Sequence, residues 1–275
     1  MSSQSLKPCY LNDDSEMFEI GVDEAGRGPL FGRVYAAAVI LPKPDQIQIE
    51  ITTTKPTEKK GTKGNGNVLN MESFGYSKMK DSKKFSSKKK IEEAAEYIQT
   101  NSLAWCVAYE DENVIDEINI LQATQSAMHK AIQGAIIIYR EKNIDIGVNV
   151  GTDINQFQLL IDGNYFKPII SYNKERKMCE SMPYVCIEGG DNKYASIAAA
   201  SILAKVHRDR YIEDLCEAHP ELCERYAIHS NKGYGAKIHM DGIKKYGITQ
   251  WHRKSYAPCA KAVTLADANA EDKDK

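Results

Sequence analysis

The chain has 275 residues, 42% hydrophobic and 27% charged, a globular composition that excludes collagen-like, mucin-like and wholly disordered classes. No apolar run reaches the ~18–20 residues of a membrane helix, and the first eighteen residues, MSSQSLKPCYLNDDSEMF, lack the apolar centre of a secretory signal. A formal charge of −2 speaks against a nucleic-acid partner, but the charge is segregated: eleven lysines stand against three acids between residues 55 and 90.

Residues 1–16 read as a polar tail. Phe18, Ile20 and Val22 alternate with Glu19, Gly21 and Asp23, the period of a strand. The loop EAGRGP follows, and VYAAAVIL at 34–41 predicts a second, more buried strand pairing with the first. Residues 42–77, rich in Thr, Gly, Asn, Lys and Pro, read as a low-complexity basic insertion. Ser86 or Ser87 is placed to cap a helix over 88–99. A third strand is expected at 103–109, a short helix around Val114, Ile115 and Ile118, and a longer helix over 121–140. Further strands are expected at 158–162 and 184–187, then a helix over 194–217 rich in alanine and serine, which allows close approach to a sheet. A short helix closes at 242–246, and 260–275 read as a solvated tail. This order predicts an α/β fold, a mixed sheet flanked by helices, organised as a main domain at 17–215 and a small helical C-terminal segment at 216–259.

The seven cysteines form no C-x-x-C pair, which predicts a reduced, cytoplasmic protein. Cys216, His219 and Cys223 share a probable helix and suggest zinc, but no fourth ligand lies nearby and buried cysteine is common filler.

Acids at strand ends carry the chemistry. Asp23 and Glu24 end the first strand, Asp162 ends another at IDGN, and Asp191 follows one at GGD. Ligands of α/β sheets bind beyond strand ends. Carboxylates converging there repel unless cations lie between them, and an all-oxygen donor set suits Mg²⁺ or Mn²⁺. Two such ions activate water in phosphodiester cleavage. Each acid also has a plain structural reading: Asp191 as a helix cap, Asp162 as a turn residue, Glu24 as a surface acid. Gly26-Arg27-Gly28 leaves backbone open to a ligand or simply makes a tight turn. Lys83 and Lys84 precede a helix, a place for phosphate or for a solvated charge run. Tyr234, between Gly233 and Gly235, either stacks on a sugar or base or plugs a core edge.

Taken together, GVDEAGRGPLFG, DSKKFS, DEINILQATQSAM, IDGN, GGDNKYASIAAASILAKVHRD, NKGYGAKIH and WHRKSYAP resemble ribonuclease HII, in that family's order and over most of residues 18–258. The resemblance implies a ribonuclease H-like fold and a metal-dependent endoribonuclease. Its substrates are RNA–DNA hybrids and ribonucleotides within duplex DNA, and its products carry 3′-hydroxyl and 5′-phosphate ends. It implies a two-metal site, Mn²⁺ or Mg²⁺, on Asp23, Glu24, Asp162 and Asp191. Gly26, Arg27 and Gly28 correspond to the loop that reads the 2′-hydroxyl, which distinguishes RNA from DNA. Tyr234 corresponds to the residue packing on the adjacent deoxyribose, and Lys83, Lys84, Asn119 and Ser201 to phosphate contacts. Asp209 corresponds to a structural position. Tyr256 stands where the family often has phenylalanine, and the 42–77 and 165–188 stretches are longer than usual. The SILAKV segment implies a single-chain enzyme without an obligate partner subunit. A monomer with no membrane partner is expected. The rival is a hybrid-binding module that does not cut, which the presence of all four carboxylates disfavours.

Overall fold

The computed structural model describes residues 6–11, 15–44, 74–145, 154–173 and 176–262. Most of the basic insertion (45–73) and the outer parts of both tails lie outside the described residues.

Phe18–Ala25 (β1) and Val34–Ile40 (β2) form the expected antiparallel pair, and Ala104–Glu110 (β3) adds antiparallel to β2. On the other side of β1, Phe157–Asp162 (β4) and then Tyr184–Ile187 (β7) add in parallel. The sheet order β3-β2-β1-β4-β7 is mixed, as anticipated, with β1 at the centre. Every residue of β2 is buried, because helices cover both faces.

Two cores follow from the strand alternation. Ile20 and Val22 of β1, Ala36, Ala38 and Ile40 of β2, and Leu159 and Ile161 of β4 face one helix, Glu112–Asp145 (α2). Ala37 and Val39 face the opposite way, toward Lys88–Asn101 (α1) and the alanine-rich Ala195–Ala218 (α3). Phe74 and Met79 are buried in this second core, so packed structure resumes before the end of the stretch read as insertion. Ser87 caps α1 by accepting from Lys90 N.

The two helices expected around 114–140 run together as α2, with a break at Asn119 (φ 67°, ψ 163°). Asn119 Oδ1 accepts from Leu121 N and Gln122 N, which caps the second half of the helix. A ribbon not expected from the sequence lies between β4 and β7: Ile170–Asn173 (β5) and Met178–Ser181 (β6), paired antiparallel. At four residues each and largely exposed, these strands carry too little alternation to be legible.

Four short helices, Glu221–Tyr226 (α4), Ile228–Asn231 (α5), Lys237–Tyr246 (α6) and Ala257–Ala260 (α7), close the described chain. They gather around a third core that includes Leu30 and Phe31 from the loop after β1. This joins the C-terminal helices to the glycine loop beside the acids. No helix among the described residues is long and apolar enough to cross a membrane.

Candidate active site

The parallel register sets Val22 against Ile161, so the next residues, Asp23 and Asp162, stand on neighbouring strands. Both point to the face opposite the Val22 and Ile161 core, toward α3. After β7 the chain turns through Gly189 and enters a 3-10 turn, Gly190–Asn192, which carries Asp191. Gly190 N donates to Asp162 Oδ1 at 2.7 Å, which ties this turn to β4. Glu24, one residue beyond Asp23, pairs with Arg27 at 3.2 Å.

All four acids line one cleft of about 400 Å³. Gly26, Arg27, Gly28, Lys83, Ser201 and Tyr234 line the same cleft. Lys84 and Asn119 are not part of its lining. Lys84 stands just behind it: its ammonium donates to Asn192 Oδ1, and Asn192 Nδ2 donates to Asp191 Oδ1 at 2.9 Å. Asn119 serves the α2 cap.

The electrostatics are those of crowded acids. Burial raises the Asp23 carboxyl well above its ordinary range, and the charges of Glu24 and Asp162 push it further; a hydrogen bond from Ser201 opposes them. Burial also raises Glu24, against the opposing pull of Arg27. Burial and then the Asp191 charge raise Asp162; the backbone N–H groups of Gly190 and Asp191 oppose them, and Lys83 less so. Among the described residues no three His, Cys, Asp or Glu side chains are already drawn into a ligand cage. The four-carboxylate donor set still fits a hard divalent cation. It offers oxygen only, and a cation between the acids would offset the burial and mutual charge that raise three of them.

The lysine-bearing motif is anchored to the same helix that touches Asp23. Ser82 Oγ lies 3.1 Å from Ser201 Oγ, and Asp81 accepts from Lys83 N at 2.9 Å, which fixes the 3-10 turn Ser82–Lys84. Sequence reasoning missed Lys205, Arg208, Asn231 and Lys232, which also line the cleft. The i, i+4, i+7 spacing of Ser201, Lys205 and Arg208 on one face of α3 was the available signal. Asp209, read as structural, pairs with Lys205 at 2.6 Å.

Tyr234 is 52% exposed at the cleft rim. Its loop is held from several sides. Arg208 Nη2 donates to Lys232 O at 2.8 Å, Leu30 N to Gly233 O at 2.9 Å, and His239 Nδ1 lies 2.9 Å from Tyr234 O. Gly26 has φ +97°, and a Cβ there would meet Arg208 Nε at 2.4 Å, so this position requires glycine on both counts.

A family model described as Ribonuclease HII matches residues 70–259. A protein named Ribonuclease HII from Parabacteroides distasonis is 35% identical over 247 residues, covering 90% of this chain and 94% of its own. One of the same name from Hydrogenovibrio crunogenus is 33% identical over 264 residues, covering 95% of both. Among solved structures, the ribonuclease H2 of Pyrococcus horikoshii has a TM-score of 0.55 at 20% identity, covering 89% of this chain and 96% of its own. Bst-RNase HIII in complex with Mn²⁺ has a TM-score of 0.51 at 17% identity, covering 94% of this chain and 72% of its own. These structures share the fold, a ribonuclease H-like mixed sheet with helices on both faces. With relatives about a third identical along nearly their whole length, the chain belongs to the ribonuclease HII family and is a ribonuclease.

Proposed function

We propose that the enzyme is a divalent-metal-dependent endonuclease that cuts the RNA strand of RNA–DNA hybrids and also cuts at single ribonucleotides within duplex DNA. The products carry 3′-hydroxyl and 5′-phosphate ends. The observation that carries this reading is that four carboxylates and a glycine loop open on one cleft. Asp23, Glu24, Asp162 and Asp191 would hold Mn²⁺ or Mg²⁺ there, and such cations, when bound, would supply water activation and stabilisation of charge on the leaving oxygen.

The remaining roles belong to the chain. Ser201, beside Asp23 in the cleft lining and favouring its charged form, steadies that carboxylate. Asn192 does the same for Asp191, with Lys84 behind it. Lys83, which faces Asp162, meets a phosphate of the cut strand. The backbone of Arg27 and Gly28 meets the ribose 2′-hydroxyl, and Tyr234 packs on the neighbouring deoxyribose. The enzyme acts as a single chain in the cytoplasm; its seven cysteines form no C-x-x-C pair, which suits a reducing compartment.

The test is cleavage-site mapping on a DNA duplex with one ribonucleotide, in Mn²⁺ or Mg²⁺, for the native enzyme and for Asp162→Asn. Cleavage at the ribonucleotide, reduced at least ~10²–10³-fold in the variant with hybrid binding retained, is expected. Normal cleavage by Asp162→Asn, or equal cleavage of an all-DNA duplex, overturns the reading.

A further inference from the structure

Arg253, from the WHRKSYAP segment, is wholly buried, yet among the described residues no carboxylate pairs with it. Its guanidinium is instead filled by the loop after β1. Nε donates to Gly32 O at 2.8 Å; Nη1 to Pro29 O at 2.8 Å and Arg27 O at 3.0 Å; Nη2 to Gly26 O at 2.6 Å and Arg33 O at 3.2 Å. The Arg253 backbone N–H donates to Leu30 O at 2.9 Å. The Tyr256 hydroxyl completes the arrangement, accepting from Nη1 at 3.0 Å and donating to Arg27 O at 2.6 Å. One side chain thus engages five carbonyls of a single loop, using the fixed fork of a guanidinium.

The consequence follows from peptide geometry. All described peptide bonds are trans, and in a trans peptide the C=O of one residue points opposite to the N–H of the next. The carbonyls of Gly26 and Arg27 point inward at Arg253. The N–H groups of Arg27 and Gly28 therefore point outward, and both residues line the cleft. Neither amide has an acceptor among the described residues.

We infer that Arg253, assisted by Tyr256, is the positioning residue for ribose discrimination: it holds the Arg27 and Gly28 amides outward as fixed donors to the 2′-hydroxyl. This rests on the loop's reading under the proposed function. The inference assigns the loop's selectivity to a residue more than two hundred positions away in sequence that touches no substrate. It also gives the Tyr256 hydroxyl, which a phenylalanine at that position lacks, a function.

The experiment compares Tyr256→Phe and Arg253→Lys with the native enzyme. Two quantities are measured in Mn²⁺: KM and kcat on a DNA duplex with one ribonucleotide, and the inhibition constant of the same-sequence all-DNA duplex as competitor. Loss of one hydrogen bond in Tyr256→Phe should raise KM about fivefold. Arg253→Lys keeps the charge but has three donors on one atom, and should raise KM by about thirtyfold or more. In both, kcat and the all-DNA inhibition constant should hardly change, because the lost contact is to the 2′-hydroxyl and is made equally in the ground and transition states. An unchanged KM in both variants overturns the inference. So does an equal rise in KM and in the all-DNA constant, or a change confined to kcat. Thermal unfolding identifies an Arg253→Lys chain that does not fold, in which case Tyr256→Phe decides alone. If the native enzyme itself binds both duplexes equally, the reading of the loop fails, and that outcome is visible before any variant is compared.

Discussion

Gly21 sets the distance at which α3 meets β1, and replacing it with alanine tests how the site is held. Gly21 and Asp23 are two residues apart on β1 and so share a face. An added Cβ would stand 2.1 Å from Ser196 C, 2.3 Å from Ser196 O and 2.5 Å from Ile197 N. Ordinary contact begins near 3.5 Å, so α3 must retreat by about 1.4 Å at this point. The obstructing atoms are backbone and cannot rotate aside, which places the cost at the upper end of overpacking, about 3 kcal/mol. Reduced freedom of the unfolded chain returns up to about 1 kcal/mol. The net loss of about 2 kcal/mol corresponds to a fall in Tm of about 4–8 °C. Because α3 also carries Ser201, which lines the cleft with Asp23, the same shift displaces a neighbour of the carboxylate proposed to act in catalysis. A displacement of that size costs about 10²-fold in rate. Calorimetry and hybrid-cleavage kinetics on Gly21→Ala measure both. A variant that melts within a degree of the native enzyme and cleaves normally refutes the claim that this contact spaces the site.

Gly189→Ala is the natural contrast: Gly189 has φ +62°, but an added Cβ would find no atom within 4 Å, so only left-handed strain of about 1 kcal/mol is expected, read as a Tm fall of about 2–4 °C. Lys83→Ala should flatten the dependence of log K on log salt for hybrid binding by about 0.9; an unchanged slope means Lys83 meets no phosphate. His252 is buried against His239 (Nε2 to Nε2, 3.1 Å) and against the rings of Phe31 and Tyr226, with Thr249 N donating to its Nδ1. Burial, with His239 adding to it, lowers its pKa to about 3. The neutral form is therefore favoured in the folded state. The unfolded chain takes up a proton near pH 6.5, so this contribution is complete above that pH and is lost as pH falls toward 3. Relative to His252→Gln, the native enzyme should lose about 2 kcal/mol between pH 6.5 and 5 in urea unfolding; parallel pH profiles would contradict this.

Much of the site was legible in the sequence because its signals are local. Alternation over Phe18 to Asp23 marks a strand that delivers an acid to its end, and IDGN and GGD repeat the pattern. The alanines of α3 announce a helix pressed against a sheet. What was not legible depends on contacts between distant residues. The parallel register of β1 with β4, which sets Asp23 beside Asp162, is decided by which hydrophobic faces share a core, and no short window of sequence contains that choice. The motif around Asn119 suggests a phosphate contact; only the break in α2 shows that its side-chain oxygen serves two backbone amides. Within WHRKSYAP, nothing in the sequence marks Arg253 as buried. Only the folding of the C-terminal helices against the loop after β1 buries it and lets five backbone carbonyls stand in for a counter-ion. The sequence by itself determined the acids, the loop and the elements that carry them, because periodicity and turn chemistry are properties of neighbours. The tertiary structure decided which acids stand together and which way the loop's amides point, because register and burial are properties of packing.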